Sequence, residues 1–366
     1  MNALFWLLAL AGAASFLPNL YKTGQGQHIL LTPVLLCVGY ALSPSGLGFI
    51  APAAVRGMQP AVQLFITWIA LCAGMHVPHP RLWLRYRGAL FRRLGTSALM
   101  AAWVSLGTGA LLVMTQLILV GRRSELGSLL QEKTAVMAMA WGCLLAGSQV
   151  GLRIWQQGLL AFVSAVLVSN LTMHQVGLLL VVCAGCTAAA ALLQRWGEII
   201  VCCIVFIGVA SLSAGLSQQL DLPHVCTGFA VGFCLSLVSK QSFEQRRWVS
   251  QASVPAQVVV IVLVGLTVQV PWAALAWGIC LSIVLVLMRF AKTASRLTFE
   301  ITPMSLVYGH AARCTAFAAA LLFAGGRAHS PAQLLLVITA VAASLSDLVI
   351  WFAIRYRNKT CGVKTS

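Results

Sequence analysis

QVGLLLVVCAGCTAAAALL, residues 175–193, holds no charged side chain and is close to the roughly 20 residues that a helix needs to cross a bilayer. Its apolar residues do not alternate with polar ones, as they would in a strand of a membrane barrel. In lipid every backbone N–H and C=O must find a partner inside the protein, so a spanning segment is either a helix or part of a closed barrel. The continuous apolar run selects the helix.

The same reading applies along the chain. Apolar segments fall at 2–18, 29–46, 59–77, 95–119, 133–151, 156–172, 175–193, 199–217, 223–239, 252–269, 272–295, 301–325 and 332–354, about thirteen in all. Hydrophobic residues make up 60% of the 366 and charged residues 8%, against about 25% charged in soluble domains. A soluble fold of this length has too little polar surface to cover so much apolar material. The expected fold class is therefore an all-α polytopic membrane protein, one transmembrane domain over 1–366 with no soluble regulatory domain. The N-terminal segment lacks the basic start and small-residue cleavage site of a leader peptide, and is expected to be the first spanning helix.

The net charge of +17 comes from 24 Lys and Arg against 7 Asp and Glu. No nucleic-acid-binding pattern accompanies it, so the excess is assigned to topology. Loops after odd-numbered segments hold most of the base, including the run Arg81, Arg85, Arg87, Arg92 and Arg93. Loops after even-numbered segments hold only Arg56, Arg122, Arg123, Lys133 and Arg327. Cytoplasmic loops are the basic ones, which puts the N-terminus outside and the C-terminus in the cytoplasm, with a bacterial inner membrane as the expected location. This alternation depends on a break near Met173–Gln175. Most of the 12 cysteines lie in apolar runs, where free Cys packs as a small hydrophobe. Cys183 and Cys186 form a CxxC, but without a second pair at zinc spacing neither a metal nor a disulfide is expected. Nucleophile–base pairs, HExxH and clustered carboxylates are missing from the segments, so no enzymatic activity and no cofactor are expected.

Five stretches, in order, carry a resemblance. GYALSPSGLGFI (39–50), VQLFITWIALCAGMHV (62–77), LDLPHVCTGFAVGFCLS (220–236), VPAQVVVIVLVGLTVQV (254–270) and MRFAKTASRLTFEITPMSLVYGHAARC (288–314) resemble segments of the monovalent cation:proton antiporter superfamily, its second subgroup in particular. The first resembles that family's GxxLGPSGLGxI signature. The resemblance implies two inverted-topology repeats, a core domain beside an interface domain, and two broken helices crossing near the midplane. Helix ends and freed backbone groups at such a crossing can hold an ion. It also implies exchange of a monovalent cation for protons by alternating access, and a homodimer formed through the interface domain.

The resemblance places the ion-binding Asp in LLAFVSAVLVSNLTMHQ (159–175), but the matching residues are Ser169 and Asn170, and that segment has no carboxylate. The preceding broken helix reads LLAGSQVGLRI, which puts Ser148 and Gln149 at its polar positions. Of the seven acids, Asp347 alone lies within a spanning segment. Arg313 sits at a similar depth one helix earlier. They are expected to form a buried ion pair, with Asp347 as a displaced ion site the alternative. Lys292 falls where the resemblance implies a buried base. It either meets Asn170 or snorkels from the cytoplasmic helix end. His310 is the one histidine well inside a helix, either a hydrogen-bonded core residue or a proton carrier.

Three functions stay open. The first is cation:proton antiport with the ion-site Asp replaced by Ser169 and Asn170. The second is a transport-inactive homologue serving as a membrane subunit, with a partner protein or anionic lipid at the basic cytoplasmic loops. The third is a carrier of an anionic or organic solute, suited by the excess of buried base over acid.

Overall fold

The computed structural model describes residues 28–44, 46–77, 154–169, 171–194, 199–238 and 256–266, with single positions between 279 and 286 and between 341 and 352. All regular structure among these residues is helical. The elements are α1 (His28–Leu42), α2 (Pro52–Gly57), α3 (Gln59–Met75), α4 (Ile154–Ser169), α5 (Met173–Gln194), α6 (Ile199–Gln219), α7 (His224–Val238) and α8 (Ala256–Leu266).

Local chemistry sets most of the boundaries. The segment expected over 29–46 stops as a helix at Leu42, because Ser43 precedes Pro44 and the residue before a proline disfavours the α conformation. The chain then turns through Gly46 and Gly48, the latter in the left-handed region at φ 71. Pro60 sits in the first turn of α3, where its missing N–H costs nothing. The break expected near Met173–Gln175 falls earlier, since one helix ends at Ser169 and the next begins at Met173. Thr172 and Gln175 form a reciprocal cap at the start of α5: the Thr172 N–H donates to Gln175 Oε1 at 3.0 Å, and the Gln175 N–H to Thr172 Oγ1 at 3.3 Å. The end of α6 is closed by Asp221 in the left-handed conformation at φ 50, with the Leu222 N–H reaching back to the Ser217 carbonyl at 2.8 Å. That is the geometry a glycine usually supplies at a helix end. The short helix α2 was not expected from the sequence.

The central pair is α3 and α7, which share the most extensive contact; α4 and α6 each lie against both, and α5 lies against α6 and α7. The core comprises Ile66, Ile69, Leu71 and Met75 of α3, Val225, Phe229, Val231 and Leu235 of α7, and the middle of α8. The outer faces of α5 and α6 are apolar as well. Leu180, Val181 and Ile204 are 65%, 69% and 64% exposed. One described helix, over Met173–Ala191, is long and apolar enough to cross a membrane, while Pro60–Met75, Ile204–Gln219, His224–Val238 and Ala256–Leu266 are shorter apolar helices.

Candidate functional site

The site is built on two close helix crossings. On α7, Gly228 and Gly232 face α3. A methyl group on Gly232 would strike the Leu71 carbonyl oxygen and come within 2.9 Å of its carbonyl carbon. One on Gly74 would strike the Phe229 carbonyl oxygen and meet the Phe233 nitrogen at 2.7 Å. The backbones therefore touch, an approach that only small residues permit and that is common between membrane helices. The second crossing joins α1 to α8. A methyl group on Gly265 would meet the Leu36 carbonyl oxygen at 2.6 Å and the Tyr40 nitrogen at 3.1 Å, and one on Gly39 would strike the Val262 carbonyl oxygen.

The two crossings have the same register. Gly74 meets the oxygen three residues before Gly232 and the nitrogen one residue after it; Gly265 meets the corresponding atoms around Gly39. In return, Gly232 and Gly39 each meet the carbonyl three residues before the partner glycine. Thus α1 stands to α8 as α7 stands to α3. The sequence agrees at these positions: VGYALS (38–43) matches VGFCLS (231–236). The final serine is buried in both, Ser43 and Ser236. This short internal match was the signal available in the sequence for the crossing residues, and the segment-by-segment reading did not use it.

Beyond Ser43 the PSGLG turn closes the carboxyl end of α1. The Leu47 N–H donates to the Ala41 carbonyl at 2.8 Å, the Ile50 N–H to Leu42 at 3.1 Å, and the Gly46 and Gly48 N–H groups both to Ser43 at 3.0 Å. The Gly46 N–H also lies 3.1 Å from Ser43 Oγ. The last carbonyls of α1, which would otherwise be orphaned, are thereby satisfied within the turn. A methyl group on Gly46 would strike the Tyr40 carbonyl oxygen, so glycine there is a requirement of the turn itself.

Helix α4 packs against α3 and α7 and carries the one described candidate, Ser169, at its carboxyl end. Gly158 of α4 lies against Ala73 and Phe229. Phe162 packs on Phe229 with ring centroids 5.5 Å apart, and the Cys226 thiol lies 3.8 Å from the Phe162 carbonyl. Ser169, at the carboxyl end of α4, is half-buried. Its hydroxyl donates to the Ala165 carbonyl at 2.6 Å. That bond uses the hydrogen and orients the oxygen, whose lone pairs stay available to a cation. Ser148, Gln149, Asn170, Lys292, His310, Arg313 and Asp347 lie outside the described residues.

Among the described residues no Asp, Glu, Lys or Arg is buried. Apart from His224 and Gln257, the buried polar side chains are hydroxyls, most of them bonded within their own helix: Thr67 to the Gln63 carbonyl at 2.8 Å, Ser213 to Val209, Ser217 to Ser213 at 2.5 Å and Thr227 to Pro223 at 3.2 Å. Back-bonding of this kind is how a hydroxyl is accommodated in an apolar surround. Three buried polar atoms have no partner among the described residues, namely Trp68 Nε1, Thr187 Oγ1 and His224 Nδ1.

No protein-family model matches this chain, and no curated protein matches it.

Proposed function

We propose that this protein is a membrane transporter with the two-repeat architecture of the cation:proton antiporters, acting on a monovalent cation through a site that lacks the usual carboxylate. The observation that carries the reading is the repeated crossing. A unit made of α1 and α3 and a second made of α7 and α8 exchange partners, first helix of one against second helix of the other, in one register. Exchange of partners between two like units, with glycines at the contact, suits a repeat architecture whose ligand site lies between the halves. The apolar outer faces of α5 and α6 suit a lipid surround. Each of the four contact glycines lies within one of the quoted segments, which supports the reading. Basic loops set the orientation, with the C-terminus in the cytoplasm, and a homodimer is part of the proposal.

In this reading Ser169 and Asn170, with Ser148 and Gln149 from the preceding broken helix, supply neutral oxygens to the cation. A carboxylate serves both a cation and a proton because one negative charge holds either. A site of hydroxyls and amides does not, so proton coupling falls to a charged group elsewhere, with Asp347, Lys292 and His310 the candidates. A second reading is a transport-inactive membrane subunit. It is favoured by the lack of a carboxylate in the segment 159–175, where the resemblance places the ion-binding Asp.

The test is proton flux in proteoliposomes of the purified protein, read with an internal pH dye after imposed Na⁺, K⁺ or Li⁺ gradients. Cation-dependent flux in the wild type that is lost in Asp347→Asn or Lys292→Ala supports antiport and locates the proton-coupling group. Absence of flux with every cation, in protein shown to be folded, sinks antiport for the isolated chain in favour of the second reading.

A further inference from the structure

Residues 222–229, which lead into α7 and form its first turns, are all buried. Neighbouring helices close them in. A methyl group on Gly228 would strike the Thr67 carbonyl oxygen of α3, and the Cys226 thiol lies 3.8 Å from the Phe162 carbonyl of α4. Gln175 of α5 donates to the Asp221 carbonyl at 3.4 Å, in the turn that arrives from α6. The first bond of α7 runs from the Thr227 N–H to the Pro223 carbonyl at 3.1 Å. The N–H groups of His224, Val225 and Cys226 precede it, and they belong to the donors that a helix cannot satisfy internally. A side-chain cap commonly takes one of them, but the capping position holds Pro223, which has no polar side chain. The Thr227 hydroxyl donates to the same Pro223 carbonyl, at 3.2 Å.

His224 is a second and independent feature of this helix head. It is the first residue of α7 and 7% exposed, and its Nδ1 has no hydrogen-bond partner among the described residues. Its side chain leans back over the head, because the Cα–Cβ bonds of a helix tilt toward the N-terminus. An unpaired buried polar group costs on the order of 1–3 kcal/mol. The positive end of the helix dipole also meets no balancing charge from the packed helices. The sequences of α3, α4, α5, α6 and α7 contain no Asp or Glu, and Asp221, in the turn before α7, is exposed. Unpaired donors at the positive end of a helix suit an anion.

We propose that the head of α7 binds a small monovalent anion of halide size, held by the Val225 and Cys226 N–H groups and by the His224 imidazole in the tautomer with its hydrogen on Nδ1. Enclosure by α3 and α4 leaves the site to an ion without a bulky substituent. The anion accepts from donors that the fold leaves unpaired, and its charge balances the positive end of the dipole. Binding there is separate from the proposed cation site and does not depend on transport.

The experiment keeps the purified full chain in detergent and exchanges sodium gluconate for sodium chloride at constant ionic strength, so that sodium is the same throughout. Chloride should raise the thermal unfolding midpoint saturably, as a ligand of the folded state does. His224→Asn keeps an N–H donor near the position of Nδ1 and should bind chloride within about threefold of wild type. His224→Leu should weaken binding by at least about tenfold, the loss of one hydrogen bond to a charged group. Should His224→Leu fail to fold, the imidazole signals of wild type carry the test. With its seven histidines labelled with nitrogen-15 and the His224 signal assigned by its loss in His224→Asn, that signal should move with chloride. An unfolding midpoint indifferent to chloride would overturn the proposal. So would a chloride affinity unchanged in His224→Leu, or a His224 signal that chloride does not move.

Discussion

Gly39 of α1 and Gly265 of α8 meet backbone to backbone: a methyl group on Gly265 would stand 3.0 Å from the Gly39 Cα, and one on Gly39 would stand 2.9 Å from the Gly265 Cα. Neither position has room for a side chain. The matching contact of Gly74 with Gly232 has the same constraint. Between helices in lipid, such close packing takes the place of the hydrophobic drive that holds soluble helices together.

Alanine at Gly39, Gly232 or Gly265 should therefore destabilise the folded protein by about 1–3 kcal/mol, the usual cost of overpacking a contact that cannot relax. A methyl group on Gly185 or Gly208 meets nothing within 4 Å. Alanine there should be neutral or stabilising by up to about 1 kcal/mol, since alanine favours helix over glycine. Thermal unfolding in detergent, followed by circular dichroism, separates the two groups. Equal midpoints for Gly232→Ala and Gly208→Ala would contradict the crossing.

The PSGLG turn gives a second contrast. At Gly48 a side chain has open space but the backbone lies at φ 71. Gly48→Ala should cost only the left-handed strain, about 1–2 kcal/mol, and Gly48→Asn less, because asparagine tolerates that region. Gly46→Ala meets the Tyr40 and Ala41 carbonyls and should be the most damaging of the three, with unfolding midpoints again the measure.

The reciprocal cap at the head of α5 should contribute about 1 kcal/mol. Thr172→Ala removes the hydroxyl that accepts from the Gln175 N–H, and Thr172→Ser keeps it. The serine variant should unfold like wild type and the alanine variant earlier. Amide hydrogen exchange should show faster opening of the first turn of α5 in the alanine variant alone.

Ser169 tests the proposed site. Its hydrogen is held by the Ala165 carbonyl, so its oxygen faces a ligand as an acceptor only. If the chain exchanges a cation, Ser169→Ala should raise the cation concentration for half-maximal flux by about tenfold, corresponding to about 1.4 kcal/mol of lost coordination. The fold should stay intact, since alanine suits a helix end of this kind. Unchanged cation dependence would remove Ser169 from the site.

Much of the local structure was legible in the sequence, because it is set by residues close in the chain. The run at 175–193 reads as a helix and α5 spans Met173–Gln194; the runs at 199–217 and 223–239 correspond to α6 and α7 within two residues at each end. A break between α4 and α5 was legible but was expected near Met173–Gln175, a few residues late, because the cap that Thr172 and Gln175 form starts α5 at Met173. The misplaced end of α1 came from extending an apolar run across Pro44, where backbone sterics rather than hydropathy decide.

What hydropathy does not encode is which helix meets which. Helices this similar in apolar composition are nearly interchangeable by hydropathy, and selection falls to shape, above all to where a missing side chain lets two backbones approach. The sequence by itself determined the apolar helical segments that appear as α3, α5, α6 and α7. Only the tertiary structure decided that Gly39 pairs with Gly265 and Gly74 with Gly232. Those pairings depend on contacts between residues tens to hundreds of positions apart, which close packing of the assembled helices alone brings together.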